Sequence, residues 1–477
     1  MLSRSTFVLV LILVGCGPTV RNNSGDDDPN APCTPGKVGD CYTGQAGTEG
    51  VGPCHAGKHT CDPGGIWGQC MNEVAPSQEL CGDGIDNNCN GATDEDVDSD
   101  HDGFTTCGGD CCDSTECSDP GTVNPGAFDA PGNNVDDDCN GVIDDAVSVC
   151  DQNLASGTLN ANDYAKAIDL CQTATLTEKK WGVISATLTL ADGTGVPAGI
   201  AQSIRDHFGT GVMPKGGTKM ALFSTGAAAG KGDTNPAYQD FQAGGGLTGL
   251  GNNKQSAFPA DFVAANGNAL PNTPGCPAPT GSTAMDPVML TLQIRVPTNA
   301  KSFKLATNFF SSEFPEYTCS PYNDFFVVLL DSMYTGTPAN PSDKNLAFYS
   351  PPNSTMKYPV GVNLASGNTG LFTQCVNGTT GCALMSVAGS ISTCANTTQL
   401  AGTGLDTPDG RCSAGAMQGG GTGWLETSGN VNPGEIIKLR IAIWDTSDHV
   451  LDSLAIVDGF RWSIDAGQPG TVIFRQH

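Results

Sequence analysis

From Trp181 to the C-terminus, apolar and polar residues mostly alternate, the two-residue period of a strand with one buried face. Val288, Leu290, Leu292, Ile294 and Val296 share one face. Phe303, Leu305, Thr307 and Phe309 share another, as do Ile437, Leu439, Ile441 and Ile443. Clusters of Gly, Pro, Asn and Ser separate these runs. The pattern predicts a two-layer antiparallel β-sandwich with long loops over residues 151–477. Ahead of the alternating runs, Asn162 is placed to cap a short helix over 163–171, with Ala165, Ile168 and Leu170 near one face.

The N-terminus has a different pattern. Arg4 precedes an unbroken apolar run over 7–14, and Leu13-Val14-Gly15-Cys16 reads as a lipobox. A run this short cannot span a bilayer, which takes roughly 20 apolar residues, so residues 1–15 read as an export signal removed ahead of Cys16. Several acyl chains on Cys16 would anchor the chain stably where one alone would not. The alternative is an ordinary secretory signal with a coincidental cysteine. Residues 16–32 are polar and free of aromatics, as expected of a flexible spacer. Gly17 follows the lipidated position, which points to the outer membrane and cell surface if the source is Gram-negative.

Residues 33–80 are rich in Cys and Gly and hold too little apolar material for a core, so disulfides are expected to order them. The chain has 21 cysteines, and assigning Cys16 to lipid leaves an even number. Disulfides are what an oxidising compartment outside the cytoplasm favours. The sequence does not give their connectivity.

Residues 81–150 carry the chemistry. Between 81 and 145 there are 18 Asp or Glu and no Lys or Arg. Ile85-Asp86-Asn87-Asn88-Cys89-Asn90-Gly91 recurs 50 residues on as Val135-Asp136-Asp137-Asp138-Cys139-Asn140-Gly141, and Asp94-Glu95 recurs as Asp144-Asp145. Carboxylates this dense repel one another when compact, and divalent cations would offset that. Asp98, Asp100, Asp102 and Gly103 reproduce the start of an EF-hand-type loop, with Phe104 offering a backbone carbonyl at the seventh place. The twelfth place is Gly109, so Asp110 or Asp113 would have to close the shell. Asp86, Asn88, Asn90, Asp94 and Glu95 form a second candidate, and Asp136, Asp138, Asn140, Asp144 and Asp145 its copy. Hard oxygen donors select Ca²⁺ over Zn²⁺ or Cu²⁺. The bland alternative is a solvated acidic stalk ordered by disulfides alone.

Cys81-Gly82-Asp83-Gly84 running into 85–91, then 98–103 and Pro125-Gly126-Ala127, resembles the MopE-type metal-binding repeat of myxobacterial surface proteins. Its D-x-D-x-D-G strings are similar to the calcium-loaded thrombospondin type 3 repeat. The resemblance implies metal binding over about 65 residues. In the second copy Gly132 to Asn134 replace the expected cysteine and its neighbours, so a looser loop is expected there.

Further on, Phe208-Gly209, 222–226, Phe310-Ser311-Ser312-Glu313-Phe314-Pro315-Glu316-Tyr317, 322–326, 441–448 and 451–454 resemble the choice-of-anchor L domain over roughly 160–465. That resemblance implies a β-rich surface module without catalytic residues. From the residues themselves, Glu313, Asn323, Asp324, Asp445, Asp448 and Asp452 fall at strand ends or turns. Asp and Asn in such places ordinarily cap turns, and that reading is preferred. If the strands are neighbours, Glu313, Asp324, Asp445 and Asp452 could instead hold a second Ca²⁺. Oxygens more than about 7 Å apart would exclude it. A hydrolase acting on polysaccharide through paired carboxylates of this set is the alternative from another class.

Other motifs carry less. Residues 226–232 miss the phosphate-loop pattern by one residue and lack its Ser or Thr. His55 and His59 beside Cys54 and Cys61 could mimic a zinc cluster, although disulfides are favoured. Cys111-Cys112 is expected to bond outward. The sequons at Asn377 and Asn396 mean little in a bacterial chain. The charge of -28 excludes a general nucleic-acid binder. The expectation is therefore a mainly β protein and not an enzyme. It has a lipid anchor, a disulfide-rich calcium-binding stalk, and a β-sandwich that binds a cell-surface, matrix or glycan ligand. A purely structural envelope role is the remaining alternative.

Overall fold

A computed structural model describes residues 33–77, 79–113, 117–146, 148–241, 252–315, 317–366, 369–375, 396–406 and 419–474. The lipobox, Cys16, the spacer and the sequon at Asn377 lie outside the described residues. The chain forms two compact units: residues up to 99 with 105–108, and residues 100–104 with 109 onward. The division falls inside the acidic segment, so the two acidic copies belong to different units.

The first unit has little regular structure. Strands β1 (Val38–Cys41) and β2 (Gly57–Thr60) pair antiparallel, and Trp67 stacks on His59 with ring centroids 3.9 Å apart. Its order comes from four disulfides, Cys33–Cys61, Cys41–Cys70, Cys54–Cys89 and Cys81–Cys107. The half-zinc motif around His55 and His59 is accounted for by two of them.

The second unit is built on two antiparallel sheets. Strands β3 (Gly182–Thr189), β4 (Gln202–Arg205), β5 (Met220–Ser224), β6 (Gln255–Ser256), β7 (Ala284–Arg295), β8 (Ser302–Ser311) and β9 (Phe325–Asp331) come first. After them come β10 (Phe348–Tyr349), β11 (Tyr358–Pro359), β12 (Gln374–Cys375), β13 (Gly420–Asn430), β14 (Ile436–Thr446), β15 (Ser453–Ser463) and β16 (Gly470–Ile473). One sheet runs β12-β13-β8-β15-β5-β4 with β16 beside β13. The other runs β3-β7-β14-β9 with β6 beside β7. The alternating residues read from sequence face each other across the layers. Val288, Leu290, Leu292 and Ile294 of β7 and Ile437, Leu439, Ile441 and Ile443 of β14 pack in one core with Phe303, Leu305 and Phe309 of β8.

Two strands break the alternation, and the packing explains why. The run Phe325–Leu330 in β9 is buried at every position. Its outward residues Phe325, Val327 and Leu329 pack with Trp444, Phe258 and Phe262 in a second cluster outside the sheet. Likewise Met220 and Leu222 of β5 join Phe208, Phe241 and Leu400 outside the larger sheet. Strands covered on both faces read as continuous apolar runs.

The first helix begins earlier than the sequence predicts. Helix α1 spans Ala161–Ala167, and Asn160, not Asn162, is its cap: the Asn160 side chain accepts the Asn162 N–H at 3.2 Å. Asp169, with φ of 72°, turns the chain away before residue 171. Ile168 and Leu170 are still buried, from the turn instead of the helix.

Helix α2 (Ala260–Ala265) brings Asp261 onto the outer face of the smaller sheet. There Asp261 binds Arg440 through two hydrogen bonds of 2.9 and 2.6 Å, while Asp331 and Lys344 complete the network. Arg440 is buried, and its hydrogen bonds hold the Asp261 carboxyl well below the usual carboxylate range. Replacing Asp261 with Asn leaves a buried guanidinium short of its bidentate partner. The half-exposed Asp261 lets water recover part of the loss, so the expected cost is about 2 kcal/mol at neutral pH. The sign with pH follows from the depressed pKa. The contribution is complete above the unfolded carboxylate pKa of about 4 and is lost progressively below it. Thermal unfolding from pH 7 down to 2 should therefore bring the Asp261→Asn and wild-type midpoints together. A constant gap would contradict this.

Candidate metal centres in the acidic repeats

In the first copy, Asp86 closes the loop on itself. Its two carboxylate oxygens accept the N–H groups of Asn90 at 3.1 Å and Gly91 at 3.0 Å. Asn88 and Asn90 both point their side-chain amides at one oxygen of Glu95. The other Glu95 oxygen is buried without a hydrogen-bond partner. The amide of Asn88 is the main reason that the Glu95 carboxyl is held below its ordinary range. Asp94 points elsewhere: it accepts the Gly82 N–H at 2.8 Å and pins the loop's entry.

The second copy repeats these bonds except the one from Asn88, whose place Asp138 takes without an amide to donate. Asp136 accepts Asn140 N–H at 3.1 Å and Gly141 N–H at 2.9 Å, Asn140 donates to Asp145 at 2.6 Å, and Asp144 accepts Gly132 N–H at 2.6 Å. The backbone agrees as well. Cys89 and Cys139 have φ of 58° and 57°, and Asp94 and Asp144 have 56° and 53°. These are left-handed conformations that ordinary residues adopt only when the surroundings enforce them. The expected looser second loop is not found. Gly132 closes it as Gly82 closes the first, without a cysteine at the preceding position. Burial, with Asp145 and Asp129 nearby, raises the Asp138 carboxyl above its usual range.

Between the copies, Asp100, Asp102 and Asp110 each offer an oxygen within 4.8 Å of the others. Asp100 accepts the Asp102 N–H, and Asp102 accepts the N–H of Phe104 at 2.8 Å, the ladder of alternate carboxylates that the D-x-D-x-D-G string predicts. Gly103 bends the loop with φ of 95°. Asp113 accepts the Asp100 N–H at 3.3 Å. Asp110 is buried and pushed up to about 6 by that burial, with Asp102, Asp100 and Asp113 adding to it. Asp98 falls in the other compact unit. Phe104 is buried, its ring 5.3 Å from the Lys179 ammonium.

Sequence reasoning missed four residues here. Glu79 accepts the N–H groups of Asn88 and Asp94 at 3.1 and 3.2 Å. Asp129 accepts the N–H groups of Asp137 and Asp145, each one residue away from the positions that match Asn88 and Asp94. The two stand 50 residues apart, so extending the repeat comparison six residues upstream finds them. Asn124 donates to Asp102 at 2.6 Å. Lys179 reaches the Gly103 carbonyl from outside the acidic segment, so the carboxylates there have a basic neighbour that the segment's own sequence lacks. Asn124 also accepts from Thr298 at 2.7 Å, while Asn299 hydrogen-bonds both N–H and carbonyl of Phe128. The second copy is thus docked on the β7–β8 turn.

The cysteines are spoken for in disulfides at most of these positions. Cys111 bonds outward to Cys139, as expected of a vicinal pair. Cys112 is buried beside Cys117, and its thiol is pushed up to about 12 by burial first and by Cys117 second. Two further bonds, Cys150–Cys171 and Cys276–Cys319, lie beyond the repeats.

A family model named Cu-binding MopE, described as a "Putative metal-binding motif", matches residues 74–95 and 118–145. The chain carries that motif twice. Both matched stretches contain the carboxylate loops described above, and each includes its upstream acid, Glu79 or Asp129. Neither the curated proteins nor the solved structures provide a match. The donor set fits a metal. The groups gathered there are carboxylates and side-chain amides, and His101 is the only histidine in the segment. Copper favours imidazole and thiolate or thioether donors, whereas oxygen cages favour Ca²⁺.

The carboxylates singled out in the sandwich are also placed. Glu313, Asp324 and Asp445 come together, with oxygens within 4.8 Å of one another. Asp452 is not part of that group, although its carboxyl packs against Gly226 in the glycine-rich turn that mimics a phosphate loop. Asp448 caps its own turn, accepting the Val450 N–H at 2.9 Å, whereas Asn323 accepts the N–H of Asn363, 40 residues along the chain, at 3.0 Å.

Proposed function

We propose that this chain is a surface-displayed lipoprotein whose acidic repeats bind Ca²⁺ as a structural metal and whose β-sandwich binds an external ligand. The observation that carries the metal reading is the repetition of one unusual backbone in two copies, each gathering the same run of carboxylates and side-chain amides around one loop. Filling such loops screens carboxylate repulsion and couples metal to order. The disulfides and the metal-binding motif fit an extracellular binding protein. The sequence over 1–16 supplies the anchor in this reading.

For the sandwich, support comes from a surface recess lined by Thr373, Gln374, Gln399, Trp424 and Phe474. Amide and hydroxyl groups beside aromatic rings suit a sugar, and Lys215 lies over both Trp424 and Phe474. The hydrolase reading draws less support, because Glu313, Asp324 and Asp445 are at most 3% exposed and a polysaccharide would have to reach them. The test is a glycan-array and whole-cell binding screen of the complete exported chain, with and without Ca²⁺. Saturable binding to a glycan or cell class is expected. Release of sugar products, or no retention on any surface, would contradict the reading.

A further inference from the structure

The end of the sandwich collects negative charge that nothing among the described residues balances. Strands β9 and β14 pair with Phe325 opposite Trp444 and Phe326 opposite Ile443. Continuing that register by one residue sets Asp324 opposite Asp445. Like charges directly opposite are destabilising in a sheet. A third carboxylate arrives from the other sheet. Ser311 ends β8 opposite Ser453 of β15, and Glu313 follows two residues later. The three side chains are buried, with exposures of 3% for Glu313, 0% for Asp324 and 3% for Asp445. Both oxygens of Asp324 and one of Asp445 have no hydrogen-bond partner. The Ser453 hydroxyl, also buried, lies beside Asp324. No ion pair reaches the three among the described residues. His449, four residues after Asp445, is engaged by Asp286 at 2.6 Å.

Buried polar groups are satisfied, and buried charges are paired or hold a metal. We propose that Glu313, Asp324 and Asp445 form a Ca²⁺ site that ties the two sheets together at this end of the sandwich. The spacing fits the ion. At Ca²⁺–O distances of about 2.4 Å, oxygens on opposite sides of one ion are about 4.8 Å apart, and all three carboxylates fall within that limit. Mg²⁺ fits less well because it keeps several waters, and groups this buried leave little access for them. The neighbourhood is braced to hold a cage. Asn323 and Thr446, flanking the two aspartates, exchange hydrogen bonds of 3.1 Å in both directions. Ser312 accepts no freedom either: its N–H donates to the Asp452 carbonyl at 3.1 Å. The ion would be structural, holding β8, β9 and β14 in register. This site is independent of the acidic repeats, and either can fail without the other.

The test uses the whole exported chain, stripped with chelator and then loaded with terbium as a luminescent Ca²⁺ substitute. Trp444 is adjacent to Asp445 and stacked on Phe325, so it should sensitise a terbium ion held by the triad. Strong emission excited through tryptophan is expected, displaced by excess Ca²⁺. It should be lost in Asp324→Asn/Asp445→Asn but kept in Asp86→Ala/Asp136→Ala, which alters only the repeats. Calorimetry should show one fewer Ca²⁺ bound in the first variant, and its midpoint in Ca²⁺ should fall by about 5 °C or more. Should the double variant misfold, Glu313→Gln alone, with near-ultraviolet dichroism as the folding control, must still weaken terbium emission. If the carboxylates simply share protons, the asparagine pair removes repulsion. An unchanged or raised midpoint with unchanged metal uptake would overturn the proposal.

Discussion

Reducing the disulfides is expected to dissolve the order of residues 33–99 while leaving the sandwich folded. The buried apolar side chains in that stretch are Cys54, Cys61, Trp67 and Cys89, three of which are the cross-links themselves. There is no other core to fall back on. Each bond closes a loop of 26 to 35 residues, and losing one such bridge from a small domain typically costs about 2–5 kcal/mol. The sandwich depends instead on three apolar clusters in and around its two sheets. Hydrogen exchange with and without reductant should therefore show protection lost over 33–99 and retained in β7, β8, β14 and β15. Protection surviving in β1 and β2 would mean that the unit is held by something other than its cysteines.

The second large effect is expected from Asp86→Ala and Asp136→Ala. Each aspartate accepts two backbone N–H groups, those of Asn90 and Gly91 or of Asn140 and Gly141. Truncation leaves the Gly91 and Gly141 N–H groups without their charged acceptor, at about 1.5–3 kcal/mol per bond, while Asn90 and Asn140 keep a second acceptor in Asn88 and Asp138, and it removes a candidate ligand. The loop backbone is left-handed at Cys89, Gly91 and Asp94, and beyond the Cys54–Cys89 disulfide it is these hydrogen bonds that brace the shape. The local structure should open. Limited proteolysis should show new cuts over 81–145, and chelator should produce the same cuts in the wild-type protein. Equal cutting with and without chelator would show that metal does not order the repeats.

The sandwich was legible because period-two alternation survives wherever one face meets the core, as in β7, β8 and β14. It was less legible in β9 and β5, whose outer faces are covered by loops and α2, since sequence alone does not reveal what covers a sheet. The helix start was misplaced because Asn160 and Asn162 both satisfy the cap preference, and only the Asn160 side chain reaches an orphan N–H. In the acidic segment the repeat and its ligating types were plain, because spacing is local. Glu79, Asp129, Asn124 and Lys179 were not, because their roles depend on where the chain returns. Asp98 was placed with a loop that compactness divides between units. The Glu313, Asp324 and Asp445 cluster was readable as residues at strand ends, but turn capping was the better expectation. Pairing register and burial alter that balance, since Asp324 caps nothing with its side chain.

The most direct measurement of the central claim is isothermal titration of the metal-stripped chain, residues 17–477 with its disulfides intact, against Ca²⁺ and separately Cu²⁺. The account expects saturable Ca²⁺ uptake at more than one site, reduced in Asp86→Ala/Asp136→Ala, and Cu²⁺ unable to substitute. No heat of Ca²⁺ binding, or uptake of Cu²⁺ in its place, would contradict it.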